Sequence, residues 1–271
     1  VQDTELRDFD PAKGQRQLAA AVELVERYHG AENGRVTCMF GPQASEMCSV
    51  EMLREVKALA GRYDLDIHMH LAQSERETRQ VMQRYGKRPV QLLEELGYLD
   101  GRLHTAHLTE TTPEERALLA RRGASMALCS GSIGIINGEV PPARDYLEKG
   151  GRVGLGTDQA PGNNCNNLFS EMKATAILHK VQNHDPTAFP AWGVLRMATI
   201  EAAAGMGMAA EIGSLKAGKK ADVILVDLNA PAMAPVLSGP VRNIVPNLVY
   251  SASGSEVSTV LIDGQVVVED G

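Results

Sequence analysis

The sequence has few cysteines, few aromatics and no block of like charge. Its four cysteines in 271 residues, Cys38, Cys48, Cys129 and Cys165, form no CxxC pair and no dense framework. That excludes a disulfide scaffold and points to reduced thiols in a cytoplasmic protein. The formal net charge is -7 and no basic block occurs, which argues against nucleic acid and against anionic membrane as partners. No apolar run approaches the roughly 18 residues that a membrane span requires. Residues 1–7 hold neither the apolar core nor the cleavage pattern of a signal peptide, and no methionine opens the chain. Both ends read as cut, the first in mid-fold and the last just after a strand.

What is present is ordinary globular material, 44% hydrophobic and 23% charged, with ample length to bury a core. Apolar residues recur at helical spacing over 16–28 and 50–63. They do so again over 75–96, where Pro89 starts a second piece, and over 167–180 and 191–205. Thr112-Pro113-Glu114-Glu115 is a helix start, with a capping residue and proline at the first helical position. Short apolar runs at 35–40, 66–72, 103–108, 124–129 and 153–157 read as five buried strands. Helices and strands therefore alternate to about residue 205, the pattern of parallel β/α units. After Gly213 the pattern changes to β segments, 221–227, 247–250, 259–262 and 265–268, with Asp263-Gly264 as a two-residue hairpin turn. The organisation expected is residues 1–212 as part of a (β/α) barrel and 213–271 as a β-sandwich segment.

Several strands end in polar residues. His68 and His70, two apart on one strand, point to one face. Imidazole is the commonest metal ligand near neutrality, although histidines satisfied by hydrogen bonds are an equally open reading of the pair. His107 ends the next strand. Asp158 ends a later one after Gly154-Leu155-Gly156-Thr157, where an aspartate could instead cap the following helix. If the strands close into a barrel, all three positions lie on the active face. His, His and Asp together suit zinc or iron.

The segments HMHLAQSERE, LHTAHLTE and VGLGTDQAPGNN, in this order, resemble the fifth-, sixth- and eighth-strand motifs of the amidohydrolase superfamily. IGSLKAGKKADVILVDL and VLIDGQVVVEDG resemble its closing segment. The likeness runs over nearly the whole chain. It is strongest to the clade of S-adenosylhomocysteine and methylthioadenosine deaminases, guanine and cytosine deaminases, and triazine hydrolases. It implies a distorted TIM barrel, of which about the last five strands are present, flanked by part of a small β-sandwich. It implies one divalent metal ion, zinc ahead of iron, held by His70 and Asp158, with His107 within reach of the metal. Asp158 would also be the base for the attacking water, and His107 would orient water or substrate. His68 would shape the pocket. The substrate implied is a small heterocycle, a purine, pyrimidine, pterin or triazine carrying an amino group. Similar enzymes commonly dimerise, although no feature of this sequence marks an interface.

Three departures qualify that reading. The superfamily's opening HxH metal motif and the strands before residue 35 are absent, so a missing N-terminal segment is expected to complete the barrel. Gln73 stands where the superfamily usually has a proton-shuttling glutamate, and an amide cannot shuttle a proton. Glu75 or Glu77 could substitute, but a solvated first helical turn is the plainer expectation. Gln43, in Gly41-Pro42-Gln43-Ala44, stands where a substrate-contacting histidine is common. These changes leave open cyclic amide hydrolysis, displacement of a non-amine group, or a non-catalytic truncated chain. Asn163 is a substrate-contact candidate in an asparagine-rich turn of otherwise structural type. His29, His104, His179 and His184 read as surface or packing residues, Phe189 and Trp192 as packing, and the methionines of 197–208 as core filler.

Overall fold

The structure, a computed structural model, describes Leu6 and residues 8–271. Two compact units make up the chain: Val1–Met126 with Asp145–Gly151, and Ala127–Arg144 with Arg152–Gly271.

In the first unit, β1 (Ile67–Leu71) pairs in parallel with β2 (Leu103–His107), setting His70 opposite Ala106 and Leu71 opposite His107. The helices Glu75–Tyr85 and Pro89–Glu95 make the crossover between them, split at Pro89 as the sequence predicts. On β1 the side chains of Ile67, Met69 and Leu71 are buried, while His68 is exposed and His70 half-buried. The two-residue period thus puts both histidines on the face opposite the apolar core. That core includes Leu53, Leu71, Val81, Leu93, Leu103 and Leu119, and burying each such side chain is worth roughly 1.5–3 kcal/mol. The helix Pro113–Arg121 carries the expected start as a full capping box, Thr112 and Glu115 each accepting the other's backbone N–H. Beyond β2 the chain reaches β3 (Ser125–Leu128), where the Thr105 hydroxyl donates to the Ser125 carbonyl at 2.8 Å.

The strand expected at 35–40 is reduced to one parallel bridge, Phe40 with Ile67. Phe40 and Ile67 are buried, but Thr37 and Met39 are exposed, so the preceding residues gain little by pairing. Four strands, not five, form the larger sheet among the described residues.

The second unit takes up the end of β3, where the Gly156 N–H donates to the Leu128 carbonyl at 3.0 Å, just past β4 (Arg152–Leu155). The helix Leu168–Gln182 starts at Asn167, whose side chain accepts from Phe169 and Ser170. The helical pattern over 191–205 is two helices, Ala191–Met197 and Ile200–Gly205, broken at Thr199. Met197 is core, but Met206 is exposed, so the methionine stretch is only partly filler. Trp192 is 61% exposed and does not pack as expected. The tail holds an antiparallel sheet, β5 (Val223–Val226), β6 (Val257–Ile262) and β7 (Gln265–Glu269). Asp263 and Gly264 both take positive φ, as a type I′ hairpin turn demands. Residues 247–250 are not a strand. They close the helix Ile244–Tyr250, with Val249 buried and the Asn247 amide donating to the Met233 carbonyl at 2.7 Å.

Candidate functional site

In the first unit the strand ends bring His70 and His107 together. Their rings stack 5.2 Å apart with an interplanar angle of 18°. His70 Nδ1 lies 2.7 Å from the Gln43 carbonyl oxygen, which also accepts the His70 backbone N–H at 3.2 Å. A carbonyl only accepts, so Nδ1 carries the proton and Nε2 is the basic nitrogen. His107 is fully buried and has φ +78, followed by Leu108 at +54. Two successive non-glycine residues in the left-handed region store strain where β2 ends, a feature common at functional sites.

Gln43 and Gln73 sit at the two turns beside these histidines. The Gln43 side chain is exposed, and it is its carbonyl, not its amide, that meets His70. The Gln73 backbone N–H donates to Glu77 at 2.8 Å. His68 is exposed on the same face of β1 as His70.

The fate of Glu77 corrects the sequence reading. Glu75 is exposed as expected, but Glu77 is 1% exposed. It accepts the Ser45 hydroxyl at 2.6 Å as well as the Gln73 amide. Burial pushes its carboxyl up to about 7, and the neighbouring Glu46 adds to that. The available signal was helical spacing: Glu77, Gln80 and Val81 occupy one buried face.

Asp158 lies in the second unit, beyond β4, with φ +61. It does not cap the following helix, because Gln159 holds the N-cap position. Its Oδ1 accepts the Gln159 N–H at 2.7 Å and its Oδ2 accepts the Ser132 hydroxyl. Ser132 stands on the helix Ser130–Ile136, which the sequence reading missed because two glycines dilute the run. A Cβ on Gly162 would lie 3.0 Å from Ser132 Oγ and 3.3 Å from Asp158 Oδ2, so glycine permits this loop's close approach. The Asn163 amide donates to the Thr157 carbonyl at 2.7 Å and to Glu171 Oε2 at 3.3 Å. Glu171 is buried and also accepts the Gly131 N–H. Burial holds its carboxyl above the usual range against those hydrogen bonds.

Of the other histidines, His104 and His179 pack in the interior, and His29 and His184 are exposed. His104 meets the Ser125 hydroxyl and Asp66. His179 stacks on Phe189 at 4.1 Å, and burial brings it down to about 4. His29 accepts the Cys38 N–H. The four cysteines are free thiols. No helix among the described residues is long and apolar enough to cross a membrane.

His70 and His107 in the first unit are imidazoles and Asp158 in the second is a carboxylate, each a donor of the kind that zinc or iron takes. The fit is supported by the tautomer that Gln43 imposes on His70, since metal-binding histidines characteristically donate their other N–H to an oxygen.

Comparison with known proteins identifies the family. The chain is 39% identical over 256 residues to the 5-methylthioadenosine/S-adenosylhomocysteine deaminase of Moorella thermoacetica, covering 94% of this chain and 59% of that protein. It is 38% identical over 270 residues to the 5'-deoxyadenosine deaminase of Methanosarcina barkeri, covering 97% and 59%. It spans about three fifths of these curated relatives. Among solved structures, a zinc-bound adenosine deaminase of Xanthomonas campestris matches with a TM-score of 0.86 at 30% identity, over 94% of this chain and 57% of that one. The zinc complex of the atrazine chlorohydrolase TrzN of Arthrobacter aurescens matches with a TM-score of 0.83 at 26% identity, over 95% and 56%. The α/β architecture with its parallel strands is that of these neighbours. Residues 8–267 match the amidohydrolase family, and the chain belongs to it.

Proposed function

We propose that the protein is a metal-dependent aminohydrolase that removes the amino group of an N-heterocycle, with an adenine nucleoside as the first class to test. The observation that carries this reading is His70, whose Nδ1–H is committed to the Gln43 carbonyl and whose basic Nε2 belongs to a ring stacked on His107. The substrate class comes from the relatives, which are named for methylthioadenosine, S-adenosylhomocysteine and 5'-deoxyadenosine.

His70, His107 and Asp158 would hold one divalent cation, zinc ahead of iron, as part of a (β/α) barrel that residues 1–212 help to build. When bound, such an ion brings the pKa of water toward ~7 and so supplies a nucleophile at neutral pH. Asp158 takes the proton of the attacking water, its carboxylate oriented by the Ser132 hydroxyl and the Gln159 N–H. His107, buried and fixed against His70, orients the water and the ring and stabilises the charge that develops on attack. Gln73 donates a hydrogen bond to the heterocycle but moves no proton. Gln43, His68 and Asn163 are the proposed contacts that select the substrate. Residues 213–271 form the accompanying sandwich segment.

The amide at Gln73 supports a second reading on the same fold, hydrolytic displacement of a group other than an amine. One assay separates the two. The full-length protein is incubated with 5'-methylthioadenosine, with adenosine and with a chlorotriazine, and ammonia and chloride are measured. Ammonia from the nucleosides supports the first reading, and chloride release alone supports the second.

A further inference from the structure

Glu77 is the buried acid that the mechanism leaves unused. It stands in the first turn of Glu75–Tyr85, where the N-cap Ser74 makes no side-chain cap. Its carboxylate bridges two segments. One is the loop leaving β1 through Ala72, at φ +48, whose Gln73 N–H donates to Oε2 at 2.8 Å. The other is the turn after Phe40, whose Ser45 hydroxyl donates to Oε1 at 2.6 Å. Ser45 follows Gln43 by two residues, across the buried Ala44. A second tie runs alongside, through Arg76 to Glu46 and Arg84 to the Glu46 carbonyl, but it does not reach the Gln73 amide.

A titratable carboxyl four residues from Gln73 invites the role of proton shuttle. Its hydrogen bonds argue against it: both carboxylate oxygens are taken by fixed donors, Oε1 by the Ser45 hydroxyl and Oε2 by the Gln73 N–H, which leaves neither free to relay a proton. What remains is geometry. We propose that Glu77 is a positioning residue, whose carboxylate holds the Gln43 turn and the Gln73 loop in one register and so sets the spacing of the two amides that contact the substrate. The inference rests on the aminohydrolase reading for the word substrate. The mechanical claim stands apart from it.

The test uses the full-length protein with Ser45→Ala, Glu77→Gln and Glu77→Ala. Two readouts are taken: hydrogen exchange of residues 41–47 and 70–77, and kcat and KM for 5'-methylthioadenosine. Faster exchange is expected in both segments of Ser45→Ala and Glu77→Ala. Loss of a charge-assisted hydrogen bond should raise KM about tenfold, with kcat moving less. Glu77→Gln, which keeps one acceptor oxygen, should fall between. Exchange that quickens only within Glu75–Tyr85, or KM and kcat that stay level in a folded Ser45→Ala protein, overturns the proposal. Absence of turnover by the unmodified protein on every aminoheterocycle contradicts the aminohydrolase reading, and the exchange data then decide the positioning claim alone.

Discussion

The Gln43 carbonyl oxygen sits 2.7 Å from His70 Nδ1 and fixes which imidazole nitrogen is basic. The main chain does this, and the Gln43 side chain is exposed. Gln43→Ala should therefore leave metal content unchanged while altering KM. Elemental analysis beside steady-state kinetics checks it, and loss of metal in this variant would contradict the role given to the carbonyl.

Asp158 depends on Ser132 for its orientation. Removing a hydrogen-bond partner of a metal ligand typically costs roughly 10–100-fold in metal affinity or activity. Ser132→Ala should show a loss of that size in a zinc titration, with little change in thermal stability. Gly162→Ala should act in the same direction, because its Cβ would crowd Ser132 Oγ and Asp158 Oδ2.

Glu77 makes stability depend on pH. The groups facing it are Ser45, the amides of Ala72 and Gln73, and Glu46, which is held in turn by Arg76 and Arg84. Its carboxyl lies near 7 in the folded protein, above its ordinary 4.5. Below 4.5 both states are protonated. Between 4.5 and about 7 the unfolded chain ionises and the folded one does not, so stability falls as pH rises, and it levels above 7. A shift of this size corresponds to about 3 kcal/mol. Urea unfolding of Glu77→Gln should lack this decline, and parallel pH profiles for the two proteins would refute the assignment.

Gly154 lies on β4 against the helix Ile200–Gly205. A Cβ there would lie 2.8 Å from both Cα and Cβ of Ala202, where backbone must move. Gly154→Ala should cost about 1–3 kcal/mol, as overpacking does. Chemical denaturation measures it, and an unchanged midpoint would show that the helix shifts freely.

Much of this was legible before the structure. The two-residue alternation of β1 put His68 and His70 on one face, and the capping box at Thr112 announced its helix. Other features depend on tertiary context that periodicity does not carry. Residues 247–250 are apolar and β-branched enough to read as a strand, yet Asn247 anchors them as a helix through the Met233 carbonyl. The 35–40 run is apolar in part, but only Phe40 finds a buried place and a bridge. The sequence alone places Glu77 in a solvated first turn, where acidic side chains are favoured. Its burial follows from two donors, the Ser45 hydroxyl and the Gln73 amide, that only the fold brings to it.

The most direct test of the central claim is the metal content of the purified full-length protein, measured by elemental analysis beside His70→Ala and Asp158→Ala. The account predicts near-stoichiometric zinc or iron, lost in both variants while each remains folded. A folded, unmodified protein that takes up neither metal, or variants that keep it, would contradict it.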